Sequence, residues 1–175
     1  MEERTTRNVL SFPVIRSEKD FSIDESDYLA IRDVVMVNGR YDEFTINRQT
    51  REMVTIREED EERRVAELKI LYGVDMLPPS ITRLQRLVTL DLRGSDITSI
   101  PPFIGRLRNL RELICTKSML NPPNEIGDLV RLKKFDLSDS KITSLPASIG
   151  RLQNLEEFNL SNTRNYQTFQ NLLGF

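Results

Sequence analysis

The sequence contains no histidine and no tryptophan, and it has a single cysteine, Cys115. Without histidine there is no imidazole to act as general base, so the serine and cysteine nucleophile systems built on one are excluded. One cysteine forms neither an intramolecular disulfide nor a cysteine-based metal cluster, which fits a reducing compartment. Long apolar runs are missing as well. The first thirty residues hold Glu2, Glu3, Glu18, Asp20 and Asp24 and nothing resembling a signal peptide or a membrane span. A soluble, cytoplasmic protein without membrane insertion is the expectation. Asn159-Leu160-Ser161 matches the glycosylation acceptor pattern, read here as a chance match.

An excess of one charge is also lacking. The chain has 25 basic and 27 acidic residues, a formal charge of −2, which removes the electrostatic reason to expect nucleic acid as a partner. The balance is uneven along the chain. Residues 1–64 carry 11 Lys and Arg against 16 Asp and Glu, and residues 65–175 carry 14 against 11, so a mildly acidic head precedes a mildly basic body. No Gly-x-x-x-x-Gly-Lys loop, Gly-x-Ser-x-Gly turn or kinase signature is present. No catalytic residue, cofactor or metal ligand is therefore assigned, and a non-enzymatic protein is expected.

What the sequence does have is a repeat. From about residue 84 it returns to itself every 22 or 23 residues. Leu84, Leu87, Leu90, Leu92 and Ile97 recur as Leu107, Leu110, Leu113, Cys115 and Leu120, then as Leu129, Leu132, Phe135, Leu137 and Ile142, and last as Leu152, Leu155, Phe158 and Leu160. Punctuation recurs with it: Ile100-Pro101, Pro122-Pro123 and Leu145-Pro146 each lead to an isoleucine and a glycine. Alternation within Leu-x-Leu predicts a short strand with Leu90 and Leu92 inward and Thr89, Asp91 and Arg93 outward. Stacked coils then make a parallel sheet. Proline stops each strand, and Pro102 to Asn109, with Ile104 and Leu107 three apart, predicts one or two helical turns on the opposite side. Cys115 falls in a leucine slot and reads as a small buried hydrophobe.

These coils, over roughly residues 66–163, resemble leucine-rich repeats, and the Ile-Gly-x-Leu and Leu-Pro punctuation is similar to the plant intracellular and Ras-group class. The resemblance implies an α/β solenoid with a parallel sheet on the concave face, short helical turns on the convex face, and a protein partner docked on the concave strands. Asparagine, usual in the family, is replaced by Ser95, Ser118, Ser140 and Thr163, whose hydroxyls offer fewer bonds to the turn than an amide.

The flanks divide the chain further. Residues 1–22 read as a mostly disordered arm and 23–64 as a cap made of a short helix near Asp24 to Ile31 and a β-meander. The meander would comprise a hairpin of Val34 to Val37 and Tyr41 to Ile46 about Asn38-Gly39, then a third strand over Glu52 to Ile56. The repeats occupy 65–163. Residues 164–175 read either as a capping helix, with Tyr166, Phe169, Leu172 and Leu173 on one face, or as a truncated end.

The outward positions form three columns: Glu67, Thr89, Glu112, Lys134, Glu157; Lys69, Asp91, Ile114, Asp136, Asn159; and Leu71, Arg93, Thr116, Ser138, Ser161. From them the expected partner-binding set is Thr89, Asp91, Arg93, Glu112, Ile114, Thr116, Lys134, Asp136, Ser138, Glu157 and Asn159. Ile114 and Arg93 are the expected anchors, an exposed branched side chain beside an arginine. The chain is expected to act as a monomer. A second possibility is a recognition arm of a signalling or ubiquitin-ligase complex, with the acidic head as another binding surface. Arg106, Arg108 and Arg111 form the densest basic patch and read as a solvated face.

Overall fold

The computed structural model describes residues 24–36, 54–56, 64–70, 74–93, 95–117 and 121–163. In chain order come helix α1 (Glu25–Met36) and strands β1 (Val54–Ile56), β2 (Val65–Lys69), β3 (Thr89–Asp91), β4 (Glu112–Ile114), β5 (Lys134–Asp136) and β6 (Glu157–Asn159). The strands form one sheet in sequence order, with β1 antiparallel to β2 and every later pair parallel. Coils follow one another in sequence order with their strands in register, so the expected solenoid is the observed one.

The strands are short for a reason that the next residues supply. Lys117, Asp139 and Asn162, each the third residue beyond its strand, have φ of 59°, 57° and 57°. This left-handed conformation turns the chain out of the sheet, and Asp and Asn tolerate it better than most residues. Gly94 stands at the same point of its repeat in the sequence.

On the other side of the coil the described residues form four 3-10 turns: Pro79–Arg83, Pro102–Arg106, Asn124–Asp128 and Ala147–Arg151. The expected helical turns are present in tighter form. Ile81 and Leu84, and likewise Ile104 and Leu107, are three residues apart, and a three-residue turn stacks such a pair on one inward line. All four of these side chains are at most 1% exposed. The preceding prolines, Pro78, Pro101, Pro123 and Pro146, hold extended ψ between 145° and 165° and set where each turn begins. Gly105 and Gly127 let neighbouring turns come close: a Cβ on Gly105 would sit 2.6 Å from the Glu125 carbonyl oxygen, and one on Gly127 2.5 Å from that of Ser148.

Between sheet and turns runs a continuous core from Ala30 to Leu160. Leu90, Leu113, Phe135, Leu110 and Leu132 are fully buried, and Cys115 takes the leucine slot beside them. Phe135 and Phe158 stack with ring centroids 5.5 Å apart and planes 9° from parallel.

The head departs from expectation. Helix α1 is longer than the sequence suggested and runs through Val34–Met36, where the first strand of a hairpin was expected. Ala30, Ile31 and Val34 are buried, so their helical spacing against the first coil outweighs the β-propensity of the Val34-Val35 pair. The strand expected over Glu52 to Ile56 is present as β1 but pairs with β2 directly. The second hairpin strand, the arm 1–22, the acidic run 58–62, Leu71 and the C-terminal segment 164–175 lie outside the described residues.

Aspartate fastens helix to solenoid. Asp24 precedes α1 and accepts from the backbone N–H of Ser26 (2.9 Å) and Asp27 (3.3 Å) and from the Ser26 hydroxyl (2.7 Å), as an N-cap does. Asp27, fully buried, accepts from Arg64 Nε (3.0 Å) and Nη2 (2.7 Å) and from the Val65 backbone N–H (2.8 Å). Every donor that reaches it comes from the residues that open β2.

Candidate functional site

The open surface to consider is the strand face. Pairing places Glu67, Thr89, Glu112, Lys134 and Glu157 in one register line and Lys69, Asp91, Ile114, Asp136 and Asn159 in another. Two of the three expected columns are thus brought together residue for residue. The third is not on the sheet: Arg93, Thr116, Ser138 and Ser161 lie beyond strands that end two positions earlier.

Burial redistributes the roles. Ile114 is only 9% exposed, so it is not the protruding anchor expected of it. It faces away from the leucine core, between Asp91 and Asp136 in its column. Neighbours in the column screen it from water. Asp91 is 7% and Ser138 9% exposed, while Glu67, Lys69, Arg93, Glu157 and Ser161 remain exposed. Thr89, Glu112, Thr116, Lys134, Asp136 and Asn159 are half-buried.

The second column also builds turns. Asp91 Oδ1 accepts from the Arg93 N–H (3.0 Å), Asp136 Oδ1 from the Ser138 N–H (2.9 Å) and Asn159 Oδ1 from the Ser161 N–H (3.0 Å). These are Asx turns, and those of Asp136 and Asn159 lead into the left-handed Asp139 and Asn162. Reading the column as contact residues missed this. The signal was present in the sequence, as Asx-Leu-x recurring at Asp91, Asp136 and Asn159.

Part of the charge on the face is compensated by ion pairs. Arg93 Nε and Nη2 grip the Asp91 carboxylate at 3.0 and 2.6 Å. Burial alone would raise the Asp91 pKa, but hydrogen bonds from the Arg93 side chain and backbone outweigh it and hold the carboxyl below its ordinary value. The hydrogen bond that Lys134 Nζ donates to Glu157, at 2.8 Å, raises the lysine's own pKa. One coil position earlier, Lys133 pairs with Glu156. Burial pushes the Cys115 thiol up, which disarms it as a nucleophile. Among the described residues, no group of three or more acidic or cysteine side chains is placed to hold a metal ion.

Where the turn hydroxyls replace asparagine, two are engaged. Ser95 Oγ donates to the Leu92 carbonyl (2.8 Å) and Ser140 Oγ to that of Cys115 (3.1 Å). The buried Thr163 hydroxyl has no partner among the described residues.

With this geometry in place, comparison with known proteins adds the following. A family model described as Leucine Rich Repeat matches residues 86–107. Among solved structures, a leucine-rich-repeat protein of Leptospira interrogans is similar at 31% identity and a TM-score of 0.54, over 62% of this chain and 29% of that one. The BIR3–SERK2 complex of Arabidopsis thaliana contains a chain similar at 28% identity and a TM-score of 0.53, over 63% of this chain and 62% of that one. The fold is a leucine-rich-repeat solenoid. A plant ice-binding protein shares it at 25% identity and a TM-score of 0.52, over 64% of this chain and 38% of that one. This chain thus spans 29% and 62% of the lengths of the first two proteins. Comparison with curated proteins gave no match. Such solenoids generally serve as interaction scaffolds rather than enzymes. No helix among the described residues is long and apolar enough to cross a membrane.

Proposed function

We propose that this chain is a non-enzymatic, intracellular interaction module that holds another protein on its concave strand face. The observation that carries the reading is the unbroken register of β2 to β6, which lines up Glu67, Thr89, Glu112, Lys134 and Glu157 beside Lys69, Asp91, Ile114, Asp136 and Asn159. An open row of mixed charges on a rigid sheet suits complementary recognition of a folded or extended protein surface, where charge pattern selects the partner. It does not suit enclosure of a small molecule, which requires a concave, mostly apolar pocket. The similar chain in the BIR3–SERK2 complex, a protein bound to a protein, supports the same class of use.

Burial changes which residues should matter. With Ile114 screened and Asp91 engaged in its own turn, the half-buried Glu112 and Lys134 at the centre of the face become the informative positions. The test uses the full chain as bait for crosslinking in native lysate, beside a Glu112→Arg, Lys134→Glu version whose fold is checked by circular dichroism. A partner held by the unaltered chain and lost from the altered one is the expected outcome. Equal capture by both would remove the concave face from the account.

A further inference from the structure

The segments that lead from each 3-10 turn into the next strand stack along one edge of the solenoid. Asn109 Nδ2 donates to the Gln85 carbonyl (2.7 Å) and Asn154 Nδ2 to that of Val130 (2.7 Å), while Arg131 donates to Asn109 and Arg151 lies 3.7 Å from Asp128. Residues 83–88, 106–111, 128–133 and 151–156 thereby form one continuous strip. That strip holds eight Lys and Arg against two acidic residues, a net +6 within a chain of net −2. The described segments that leave the strands at the opposite edge, 92–93, 95–97, 115–117 and 137–142, hold three against two.

Within the strip the compensation is uneven. Lys133 is paired with Glu156, and Arg151 lies near Asp128. Arg106, Arg108 and Arg111 are exposed and make no ion pair among the described residues. Three uncompensated guanidiniums within six residues repel one another, and a bound anion relieves that repulsion. Arginine's planar fork matches a carboxylate with two parallel hydrogen bonds.

We propose that this edge, centred on Arg106, Arg108 and Arg111, docks an acidic peptide segment of a partner protein. The strip contains no aromatic residue, so nucleic-acid bases would find no stacking platform there. Asp128 and Glu156 interrupt the positive line, which suits spaced carboxylates better than a continuous phosphate backbone. Val130, 51% exposed on the next coil, offers one apolar contact, enough for a peptide side chain and too little to enter a bilayer. The edge adjoins the strand face where Arg111 and Lys133 share a depression with Glu112 and Lys134, and it continues to Arg106 and Arg108 beside the 3-10 turn; the proposal stands whether or not the concave face binds anything.

The test measures fluorescence anisotropy of a labelled decapeptide of glutamate and leucine with the full chain, at about 50 and about 200 mM salt. The expected result is saturable binding that weakens at the higher salt. Changing Arg106→Glu, Arg108→Glu and Arg111→Glu together should lower affinity by at least about tenfold, while Lys117→Glu with Lys141→Glu on the opposite edge should change it by less than about twofold. If the reversed variant does not fold by circular dichroism, the triple glutamine variant replaces it with the same expectation. No saturable binding by the unaltered chain, or equal loss in both edge variants, would overturn the proposal. So would tighter binding of a single-stranded oligonucleotide or of phosphatidylserine vesicles, which would assign the edge to phosphate.

Discussion

The first and last described coils of the solenoid are buried to different degrees. At the first coil, α1 lays Ala30, Ile31 and Val34 over the core, β1 pairs with the sheet edge, and Asp27 locks onto Arg64 and Val65, so Val65, Leu68 and Ile70 are at most 1% exposed. At the last coil, Ile149, Leu152 and Leu160 are 5 to 7% exposed, and Leu155 and Phe158 are half-buried. The inward strand positions are apolar at both ends, Val65, Leu68 and Ile70 corresponding to Leu155, Phe158 and Leu160. What differs is the neighbour, and in a stacked array burial is a property of the interface between units more than of any unit alone.

The largest test of that contrast removes the lock. Arg64→Ala leaves the Asp27 carboxylate buried with only the Val65 N–H for company, and breaking such a pair should cost about 3 to 5 kcal/mol. Chemical denaturation should show the midpoint falling sharply, with α1 released first. Replacing Asp128, whose contact with Arg151 at the other end is long and exposed, should move the midpoint by less than about 1 kcal/mol. Similar losses from both substitutions would mean that α1 does not seal the first coil.

A smaller test asks how closely coils approach. Gly127→Ala places a Cβ 2.5 Å from a backbone oxygen of the following turn and should cost about 1 to 3 kcal/mol by forcing the coils apart. Gly150→Ala meets nothing within 4 Å, and by restricting the unfolded chain it should be neutral or stabilise by about 0.4 to 1 kcal/mol. Opposite signs for one substitution at equivalent positions are the expected reading in thermal melts. Equal destabilisation at both would show that a further surface meets Gly150.

Legibility followed the periodicity. The coils, their register, the inward leucines and the slot of Cys115 could all be read from spacing, because each coil repeats one physical solution and errors do not accumulate. The head could not be read this way. Its helix runs through Val34–Met36 because of what it covers, and the bond from Asp27 to Arg64 joins residues 37 positions apart that no local pattern connects. On the strand face the columns were legible and the burial was not. Ile114 looked exposed by alternation, yet flanking side chains screen it, and the carboxylates of Asp91 and Asp136 were read as recognition groups when each first completes its own turn. Alternation tells which way a side chain points; it does not tell what its neighbours then do.

The smallest effect concerns the cap on the sealing helix, and pH isolates it. The Ser26 hydroxyl, together with backbone donors and the nearby Arg64, holds the Asp24 carboxyl below its ordinary value despite some burial. A carboxyl whose pKa is lower folded than unfolded binds protons more tightly in the unfolded chain. Its stabilisation is therefore fully present above the unfolded pKa of about 3.9 and is lost as pH falls through the folded value. Asparagine caps a helix nearly as well as aspartate and does not titrate. Asp24→Asn should thus leave stability at pH 7 within about 0.5 kcal/mol, whereas Asp24→Ala should lose about 1 kcal/mol. Because Asp24 is about a third exposed and screened by solvent, the acid-dependent part should be a fraction of that cap energy, visible as a shallower loss of stability in the asparagine variant between about pH 4 and pH 2. Identical acid limbs for the asparagine variant and the unaltered chain would show that the cap acts through its hydrogen bonds alone, with no contribution from its charge.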